Sequence, residues 1–290
     1  MSKKRYLILG AGGQLGSEWV KQLMLRDADF VATDYPETDI TKPEHIHLKF
    51  RDHQFDVVVN CAAYTAVDKA EDEPEISDKI NFHAVQSLAE ICKKEQAILI
   101  HYSTDYVFSG KAGDENRYPD GYTEDAPINP VNAYGLSKWK GEDAIRSVGC
   151  NHQILRISWL CGPIGNNFMK TMIRLGKERD ELNVVNDQIG SPTFTSDVVD
   201  ANLRLLELEA EGTFHVTCQG KMSWYDFAVK TLEKAGVNVK INPITSDQFP
   251  MKAPRPYFSK LNTNKFETIT NGITYSVDAG IEHFLDEISS

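Results

Sequence analysis

The stretch Arg5–Gly16, R-Y-L-I-L-G-A-G-G-Q-L-G, joins a short apolar run to a cluster of glycines. The apolar run predicts a strand buried in a parallel sheet, and a helical pattern follows the glycines to about Arg26. This order is typical of a dinucleotide-binding site, because glycines admit a pyrophosphate and a helix N-terminus offers N–H groups. The glycines, Gly10, Gly13 and Gly16, follow a G-x-x-G-x-x-G spacing, so an ordinary glycine-rich turn is the alternative.

The second predicted strand, Phe30–Asp34, ends in an acid about 20 residues after the glycines. An acid at this distance typically binds the adenosine ribose hydroxyls and repels a 2′-phosphate. No Arg or Lys lies between Asp34 and Thr41, so the local chemistry favours NAD(H). A helix cap or a loop position is the alternative role for Asp34 and for Asp39.

Strands and helices continue to alternate up to about residue 160. Further strands are predicted at Phe55–Asn60, Ala97–Ser103 and Gln153–Trp159, and a helix from about Glu73 to Lys94. This rhythm predicts an α/β fold with a doubly wound parallel sheet of the Rossmann type. It breaks after Gly162, so we expect a smaller, partly interleaved substrate lobe. The predicted dinucleotide-binding domain is 1–160 plus about 187–217, and the lobe is about 161–186 and 218–290.

The stretch Ala133–Glu142, A-Y-G-L-S-K-W-K-G-E, places Tyr134 and Lys138 on one face of a predicted helix. An ammonium beside a phenol favours the phenolate, so we expect Lys138 to lower the pKa of Tyr134 and permit proton exchange near neutral pH. A surface helix is the alternative for an isolated Y-x-x-x-K. Thr104 and Asp105 follow the fourth predicted strand, where open α/β sheets bind ligands and a hydroxyl can polarise a carbonyl oxygen.

Composition narrows the classes of partner. The formal net charge of −11 argues against nucleic acid, which needs a basic binding surface. No apolar run approaches the ~20 residues of a membrane span, and the apolar run Tyr6–Leu9 is too short for a signal peptide. The odd number and wide spacing of the cysteines predict reduced, mostly buried thiols in a cytoplasmic protein; they are Cys61, Cys92, Cys150, Cys161 and Cys218.

Several blocks of sequence resemble the dTDP-4-dehydrorhamnose reductase family, within the extended short-chain dehydrogenase/reductase superfamily. They are Gly10–Gly16, Cys61–Glu71, Tyr102–Gly110, Tyr122–Glu142, Arg156–Gly162 and Asp187–Phe194. The blocks Y-S-T-D-Y-V-F and D-Q-I-G-S-P-T are specific to that family and its near relatives. The resemblance covers nearly the whole chain and weakens after about residue 265.

The resemblance implies reduction of the C4 ketone of dTDP-4-dehydro-L-rhamnose to dTDP-L-rhamnose, in dTDP-rhamnose biosynthesis, with hydride from NAD(P)H. Tyr134 would protonate the nascent alkoxide, Lys138 would lower the tyrosine pKa and bind the nicotinamide ribose, and Thr104 would hydrogen-bond the same oxygen. The expected cofactor-binding residues are Gly10, Gly13, Gln14, Leu15, Asp34, Asp39, Ile40, Ala62, Ala63, Tyr64, Tyr102, Tyr134 and Lys138. The expected substrate-binding residues are Thr65, Val67, Thr104, Asp105, Trp159, Asn167 and Arg255.

The family commonly uses NADP(H) and sometimes accepts both cofactors, so we expect NADP(H) with NAD(H) as the alternative. Some members are described as dimers bridged by magnesium through glutamates. Glu18 stands at one plausible position, but Thr195-Ser-Asp197 departs from the glutamate pattern, so we predict no required metal. The expected partner is a dTDP-linked 4-keto-6-deoxyhexose, and we expect a monomer or a homodimer.

Two other functions stay open. A non-catalytic regulatory subunit of a methionine adenosyltransferase type resembles the same family, although intact Thr104, Tyr134 and Lys138 favour an enzyme. Another sugar-nucleotide enzyme, such as an epimerase or a dehydratase, is the second alternative. A dehydratase pattern would place a glutamate where Tyr106 follows Asp105. An epimerase would keep its cofactor bound and consume no NAD(P)H.

Overall fold

The computed structural model describes residues 4–289. The strands are β1 Arg5–Leu9, β2 Asp29–Thr33, β3 Val57–Asn60, β4 Ile98–Thr104, β5 His152–Ile157, β6 Leu160–Cys161, β7 Glu181–Val185, β8 Ile189–Gly190, β9 Thr193–Phe194, β10 Gly212–His215, β11 Met222–Ser223 and β12 Lys240–Ile244. The α-helices are α1 Gln14–Leu25, α2 Pro43–Asp52, α3 Val67–Ala70, α4 Pro74–Asp78, α5 Ala84–Glu95, α6 Asp114–Arg117, α7 Ala133–Val148, α8 Phe168–Glu178, α9 Thr195–Glu207, α10 Trp224–Lys234, α11 Asn264–Ile269 and α12 Val277–Ser289.

Within residues 4–289, six strands form one parallel sheet in the order β10-β5-β4-β3-β1-β2. Apolar clusters cover both faces: α1 and α9 pack on one, and α2, α5 and α7 on the other. The predicted doubly wound α/β fold is therefore confirmed. The chain runs from β1 outward to β2 and then crosses to β3 on the other side of β1. The carboxyl ends of β1 and β3 thus flank a switch point, where such sheets bind ligands.

The predicted strands of the large sheet are all present, with ends that differ by at most two residues. Strand β5 stops at Ile157, earlier than predicted, because Trp159 has a φ of 50° and cannot continue an extended strand. The helix predicted over 73–94 is made of α4, a π-helical turn at Lys79–His83 and α5. The π turn is a common local distortion at functional sites.

The segment after β5 forms small two-stranded sheets instead of extending the large one. Strand β6 pairs with β9, β8 with β11, and β7 with β12. Two further apolar clusters join α8 and α10 to these strands. Helix α12 packs in the cluster that includes β6 and β9. Strand β10 returns to the edge of the large sheet beside β5, so the later part of the chain is interleaved with the earlier part.

Two composition-based expectations can be compared with the fold. The five cysteines lie in the described part of the chain as free thiols, four of them buried, as predicted. Among residues 4–289 no helix is both long enough and apolar enough to cross a membrane.

A buried ion pair ties α7 to strand β5. The guanidinium of Arg156 donates to both carboxylate oxygens of Glu142, from Nε at 2.9 Å and from Nη2 at 2.7 Å. Both side chains are almost inaccessible, with exposures of 2% and 0%. The remaining Arg156 donor, Nη1, contacts the backbone oxygen of Glu124 at 3.0 Å. A bidentate pair of this kind fixes orientation, so α7 and the side chains it carries have one position over the sheet.

Removing one partner of this pair should destabilise the protein strongly. In Glu142→Ala the Arg156 charge stays buried without its partner, so we expect the free energy of unfolding to fall by about 3–5 kcal/mol. The matched control is Glu178→Ala, which breaks the exposed α8 pair with Arg174 and should cost under about 1 kcal/mol. Urea unfolding of both variants measures the difference, and equal losses would contradict the assignment.

Candidate active site

The glycine turn follows β1 and packs directly against the end of β3. Gly10 has a φ of 74°, and a Cβ there would lie 2.7 Å from the backbone nitrogen of Ala62. A Cβ at Gly16 would lie 2.1 Å from the Gly10 oxygen, so both positions require glycine. Helix α1 begins at Gln14, and its N-cap, Gly13, has no side chain to satisfy the first N–H groups. Those groups can therefore bind a phosphate.

Two cavities adjoin at this turn and share Gly13, Cys61 and Ala63. The first cavity has a volume of about 590 Å³ and is lined by these predicted cofactor-binding residues: Gly10, Gly13, Asp34, Asp39, Ile40, Ala62 and Ala63. The second, about 580 Å³, contains these predicted residues: Gly13, Gln14, Leu15, Ala63, Thr65, Val67, Tyr102, Thr104, Asp105, Tyr134, Lys138 and Trp159. The pair of cavities suits an extended dinucleotide, with space for a second ligand over β4 and α7.

The two acids that were predicted to lie near the adenosine form hydrogen bonds within their own loops. Asp34 accepts a hydrogen bond from Gly12 N through Oδ2 at 2.8 Å and from Tyr35 N through Oδ1 at 2.7 Å. Asp39 Oδ1 accepts from the backbone and the hydroxyl of Thr41, at 2.9 and 2.8 Å. Asp34 therefore stabilises the glycine turn, in addition to lining the cavity where a ribose would lie.

Tyr134 lies in the first turn of α7, where Asn132 caps the helix by accepting a backbone hydrogen bond. Burial raises the pKa of Tyr134, the negative charge of Asp105 raises it further, and a hydrogen bond with Thr104 acts in the opposite direction. The sequence predicts a lowered pKa for Tyr134, but in the protein itself burial outweighs any effect of Lys138 and the pKa is raised. The phenol keeps its proton at neutral pH, which is the state a proton donor needs.

Lys138 is almost fully buried one turn later on the same helix, with 2% exposure. Its Nζ lies 3.3 Å from Nε2 of His101, a residue in the middle of β4. Burial lowers the pKa of Lys138 to about 8, and the negative charge of Glu142 opposes this shift. The lysine thus remains mostly an ammonium at neutral pH.

Thr104 and Asp105 form a connected pair at the end of β4. The Thr104 hydroxyl donates to Asp105 Oδ1 at 2.9 Å and accepts from the backbone nitrogen of Tyr106 at 3.2 Å. Burial raises the pKa of Asp105 to about 7. Its other oxygen, Oδ2, has no hydrogen-bond partner among the described residues. This oxygen is itself buried, so a ligand hydroxyl in the cavity could satisfy it only after a movement of the Asp105 side chain.

Trp159 forms an aromatic wall on the far side of the second cavity. Its ring stacks on Trp224 with a centroid separation of 3.6 Å, and both residues line the cavity. The D-Q-I-G-S-P-T block fixes this wall: Thr193 Oγ1 donates to the backbone oxygen of Ser158 at 2.6 Å. A Cβ at Gly190 would lie 2.8 Å from the Trp159 ring, so this block also provides the space for the indole.

Three predicted binding residues line neither cavity. Tyr64 donates its hydroxyl to Glu73 at 2.9 Å. Asn167 caps α8 and donates to the side chain of Gln14 at 3.1 Å, so it supports the glycine turn indirectly. Arg255 forms an ion pair with Asp68 at 2.9 Å, which engages the guanidinium that was expected to meet a diphosphate. Their ligand roles stay predictions.

Some residues of the site were not selected from the sequence. Asn81 lies in the π turn and joins two parts of the site: it accepts from Tyr64 N at 2.9 Å and donates to Ser137 Oγ at 3.0 Å. Although Asn81 is not among the predicted binding residues, it is a polar residue within an apolar helical pattern. That signal predicts either a solvent-facing side chain or, if the residue faces the sheet, a bridge to the active site, and the second is observed. His101 has the same kind of signal in β4, where it stands in an apolar strand. Trp224 has none, because its contact with Trp159 is long-range.

The predicted absence of a required metal stays a prediction. Glu18 is buried in α1, where Gln22 and Lys21 donate to its carboxylate at 2.7 and 3.4 Å. Over residues 4–289 no group of three or more His, Cys, Asp or Glu side chains is placed to bind a metal ion.

The chain is similar to known proteins over nearly its whole length. A family model described as the RmlD substrate binding domain matches residues 4–290. The chain is 37% identical to dTDP-4-dehydrorhamnose reductase of Escherichia coli (strain K12), over 97% of each chain. It resembles the crystal structure of a dTDP-4-dehydrorhamnose reductase from Clostridium acetobutylicum ATCC 824, with 40% identity, a TM-score of 0.92 and coverage of 99% and 100%. It also resembles the dTDP-4-dehydrorhamnose reductase from Bacillus anthracis str. Ames, solved in complex with NADP. The identity is 37%, the TM-score is 0.92, and the match covers 98% of this chain and 99% of that one.

The raised pKa of Asp105 predicts a pH-dependent stability. Between its ordinary value of 3.8 and about 7, the unfolded state has lost the proton that the folded state keeps, so stability falls as the pH rises. Asp105→Asn cannot ionise, and its stability relative to the unsubstituted protein should increase by roughly 2–3 kcal/mol between about pH 5 and pH 8. Urea unfolding at both pH values measures this. A constant difference would contradict the burial of an ionisable Asp105.

Proposed function

The chain belongs to the RmlD substrate-binding domain family, and from this membership we propose that it reduces dTDP-4-dehydro-L-rhamnose to dTDP-L-rhamnose. The cofactor is NADP(H), with NAD(H) as the alternative, and the enzyme is an oxidoreductase of dTDP-rhamnose biosynthesis. One observation carries the proposal: Thr104, Tyr134 and Lys138 line a single cavity that adjoins the glycine turn. A ketone in that cavity would lie between a hydroxyl, a phenol and the nicotinamide end of a dinucleotide.

The side chains divide the work of reduction between them. When bound, the reduced nicotinamide supplies the hydride that adds to C4 of the sugar. Tyr134 gives its phenolic proton to the C4 oxygen, which becomes a hydroxyl as the carbonyl double bond is lost. Thr104 turns its hydroxyl from Asp105 Oδ1 to the C4 oxygen and donates a hydrogen bond as negative charge develops there. The ammonium of Lys138 stabilises the phenolate that Tyr134 becomes, until the phenol regains a proton from solvent.

The remaining residues position the two ligands. In this proposal Asp105 hydrogen-bonds a sugar hydroxyl through its unpaired oxygen, and Trp159 packs against the sugar nucleotide. Residues 1–160 with about 187–217 bind the dinucleotide, and the rest of the chain forms the substrate lobe. We further propose a cytoplasmic monomer or homodimer that does not bind nucleic acid, in keeping with its net charge of −11.

The alternative functions are not favoured. The relatives described above are named as reductases, and one of them was solved with NADP. A UDP-glucose 4-epimerase from Thermus thermophilus shares the fold at 19% identity, which carries no information about the reaction. A regulatory protein would need neither Tyr134 in the capped first turn of α7 nor a buried Lys138.

The proposal is tested by incubating the protein with NADPH and dTDP-4-dehydro-L-rhamnose generated in situ. Loss of the reduced-nicotinamide absorbance should match, mole for mole, the formation of dTDP-L-rhamnose. Cofactor binding without oxidation would refute the proposed reaction and return attention to the regulatory alternative.

Tyr134→Phe should abolish most turnover while leaving cofactor binding intact. The variant loses only the proton donor, so we expect kcat to fall by about 10²–10⁴-fold. The dissociation constant for NADPH, measured by fluorescence titration, should stay within a few-fold. The control is Tyr118→Phe, an aromatic residue outside both cavities that packs on Tyr122. A near-normal kcat in Tyr134→Phe would refute the donor assignment.

Asp34→Asn tests the basis of cofactor preference. The amide removes a negative charge from the adenosine end but keeps one oxygen for the backbone N–H groups of Gly12 or Tyr35. We expect the ratio of kcat/KM for NADPH over NADH to rise by about tenfold, since one like-charge contact is worth about 1.4 kcal/mol. An unchanged ratio would show that Asp34 acts only on the glycine turn.

A further inference from the structure

We propose that His101 is a positioning residue for Lys138, holding the ammonium through a fixed tautomer that Asn60 selects. This inference rests on the proposed function, because it assigns His101 a role through the lysine of that reaction. It concerns a side chain that lines neither cavity and that the sequence motifs did not select.

The three residues form a buried chain of polar contacts beneath the site. His101 lies in the middle of β4 with 0% exposure, and Asn60 is its register partner on β3. Nδ1 of the imidazole lies 3.2 Å from the Asn60 amide nitrogen, and Nε2 lies 3.3 Å from Nζ of Lys138. Solvent cannot satisfy these groups, so they must satisfy one another.

While Lys138 is charged, the donor and acceptor chemistry favours one arrangement. An ammonium has donors only, so Nε2 must present a lone pair to Lys138, and the imidazole proton must lie on Nδ1. That N–H then needs an acceptor. Asn60 Oδ1 is buried and has no hydrogen-bond partner among the described residues. With the Asn60 amide turned so that Oδ1 faces Nδ1, the oxygen accepts the imidazole N–H, and the amide nitrogen takes the position in which Oδ1 had no partner.

The surroundings keep His101 neutral. Burial lowers the pKa of His101 well below 6.5, and the nearby charge of Lys138 and His152 on β5 lower it further. An imidazolium would have no lone pair for the lysine and would repel it. The other titratable groups near Lys138 are Glu142, one turn along α7, and those that line the same cavity, which are Tyr134, Asp105, Tyr102, Tyr106 and Cys61.

As a consequence, the N–H donors of Lys138 are shared between the sheet and the cavity. One of the three N–H donors of Lys138 is committed to the sheet through His101, which leaves two for the cavity. These two can bind the ribose of the cofactor and the Tyr134 phenolate. Without His101 the ammonium would lose one charge-assisted hydrogen bond in a buried site. Its pKa would fall, and it would lose both its charge and its direction at a lower pH.

The chain contains a matched control for this change. His215 at the end of β10 is equally buried, with 0% exposure. Its Nε2 lies 3.3 Å from the cationic Nη1 of Arg156, and its Nδ1 lies 3.2 Å from the backbone oxygen of Asn262. The two histidines therefore share size, burial and a cationic neighbour, but His215 has no contact with Lys138.

The first measurement needs no turnover. Nitrogen NMR of the imidazoles, with His101 assigned by its loss in His101→Gln, reports which nitrogen carries the proton. We expect a neutral ring protonated at Nδ1 throughout about pH 6–8. A ring protonated at Nε2, or an imidazolium in that range, would overturn the proposal even if the enzyme is active.

The second measurement compares variants by pH profile and by NADPH affinity. In His101→Phe the basic limb of kcat/KM should move down by about one pH unit and the NADPH dissociation constant should rise about tenfold, the size of one charge-assisted hydrogen bond. His101→Gln keeps an acceptor near Nε2 and should restore both values, and His215→Phe should not move the limb. An unmoved limb in His101→Phe, or an equal shift in His101→Gln, would overturn the proposal.

The two hypotheses fail in different ways. If the unsubstituted protein binds NADPH but does not reduce the sugar nucleotide, the proposed function fails, and the tautomer and the NADPH affinities still decide the role of His101. If His101→Phe does not fold, the tautomer and the His101→Gln profile decide it: a profile unlike that of the unsubstituted protein contradicts the proposal.

Discussion

The site depends on the burial of one positive charge, the ammonium of Lys138. Removing a charge from water is costly unless hydrogen bonds and opposite charges replace the solvent. The fold supplies them from two directions: His101 from the sheet and Glu142 from the next turn of α7. Glu142 can remain ionised there because Arg156 holds both of its oxygens. The ion pair that orients α7 is thus also part of the electrostatic surroundings of the lysine.

The same burial sets the protonation state of the tyrosine. Burial raises the pKa of Tyr134 and lowers the pKa of Lys138, because it favours the neutral form of each group. The pKa of the Tyr134 phenol rises and the pKa of Lys138 falls to about 8. At neutral pH the phenol is therefore protonated and the lysine is still mostly charged. For a reduction this is the useful combination. The donor carries its proton until an alkoxide forms, and the cation is in place to stabilise what remains.

The sequence predicts the parts of the site that are local in the chain. The glycine turn, the strand ends at Thr104 and Asp105, and the i, i+4 pair on α7 depend on spacing alone, and all of them lie where the pattern indicates. Contacts between distant segments could not be predicted. The stacking of Trp159 on Trp224 and the pairing of Arg255 with Asp68 join residues far apart in the chain. The sequence predicts a lowered pKa for Tyr134, whereas the pKa is raised, because residue spacing indicates which side chains are close together but not how deeply they are buried.

The most direct test of the account is to follow the transferred hydrogen. With NADPH carrying deuterium at both hydrogen positions of nicotinamide C4, we predict one deuterium at C4 of the dTDP-L-rhamnose formed and none at C3 or C5. The deuterium should appear in proportion to the cofactor oxidised, since the hydride is the only hydrogen that reaches carbon. Product without deuterium at C4, or an altered sugar without cofactor consumption, would contradict direct reduction and indicate an epimerase.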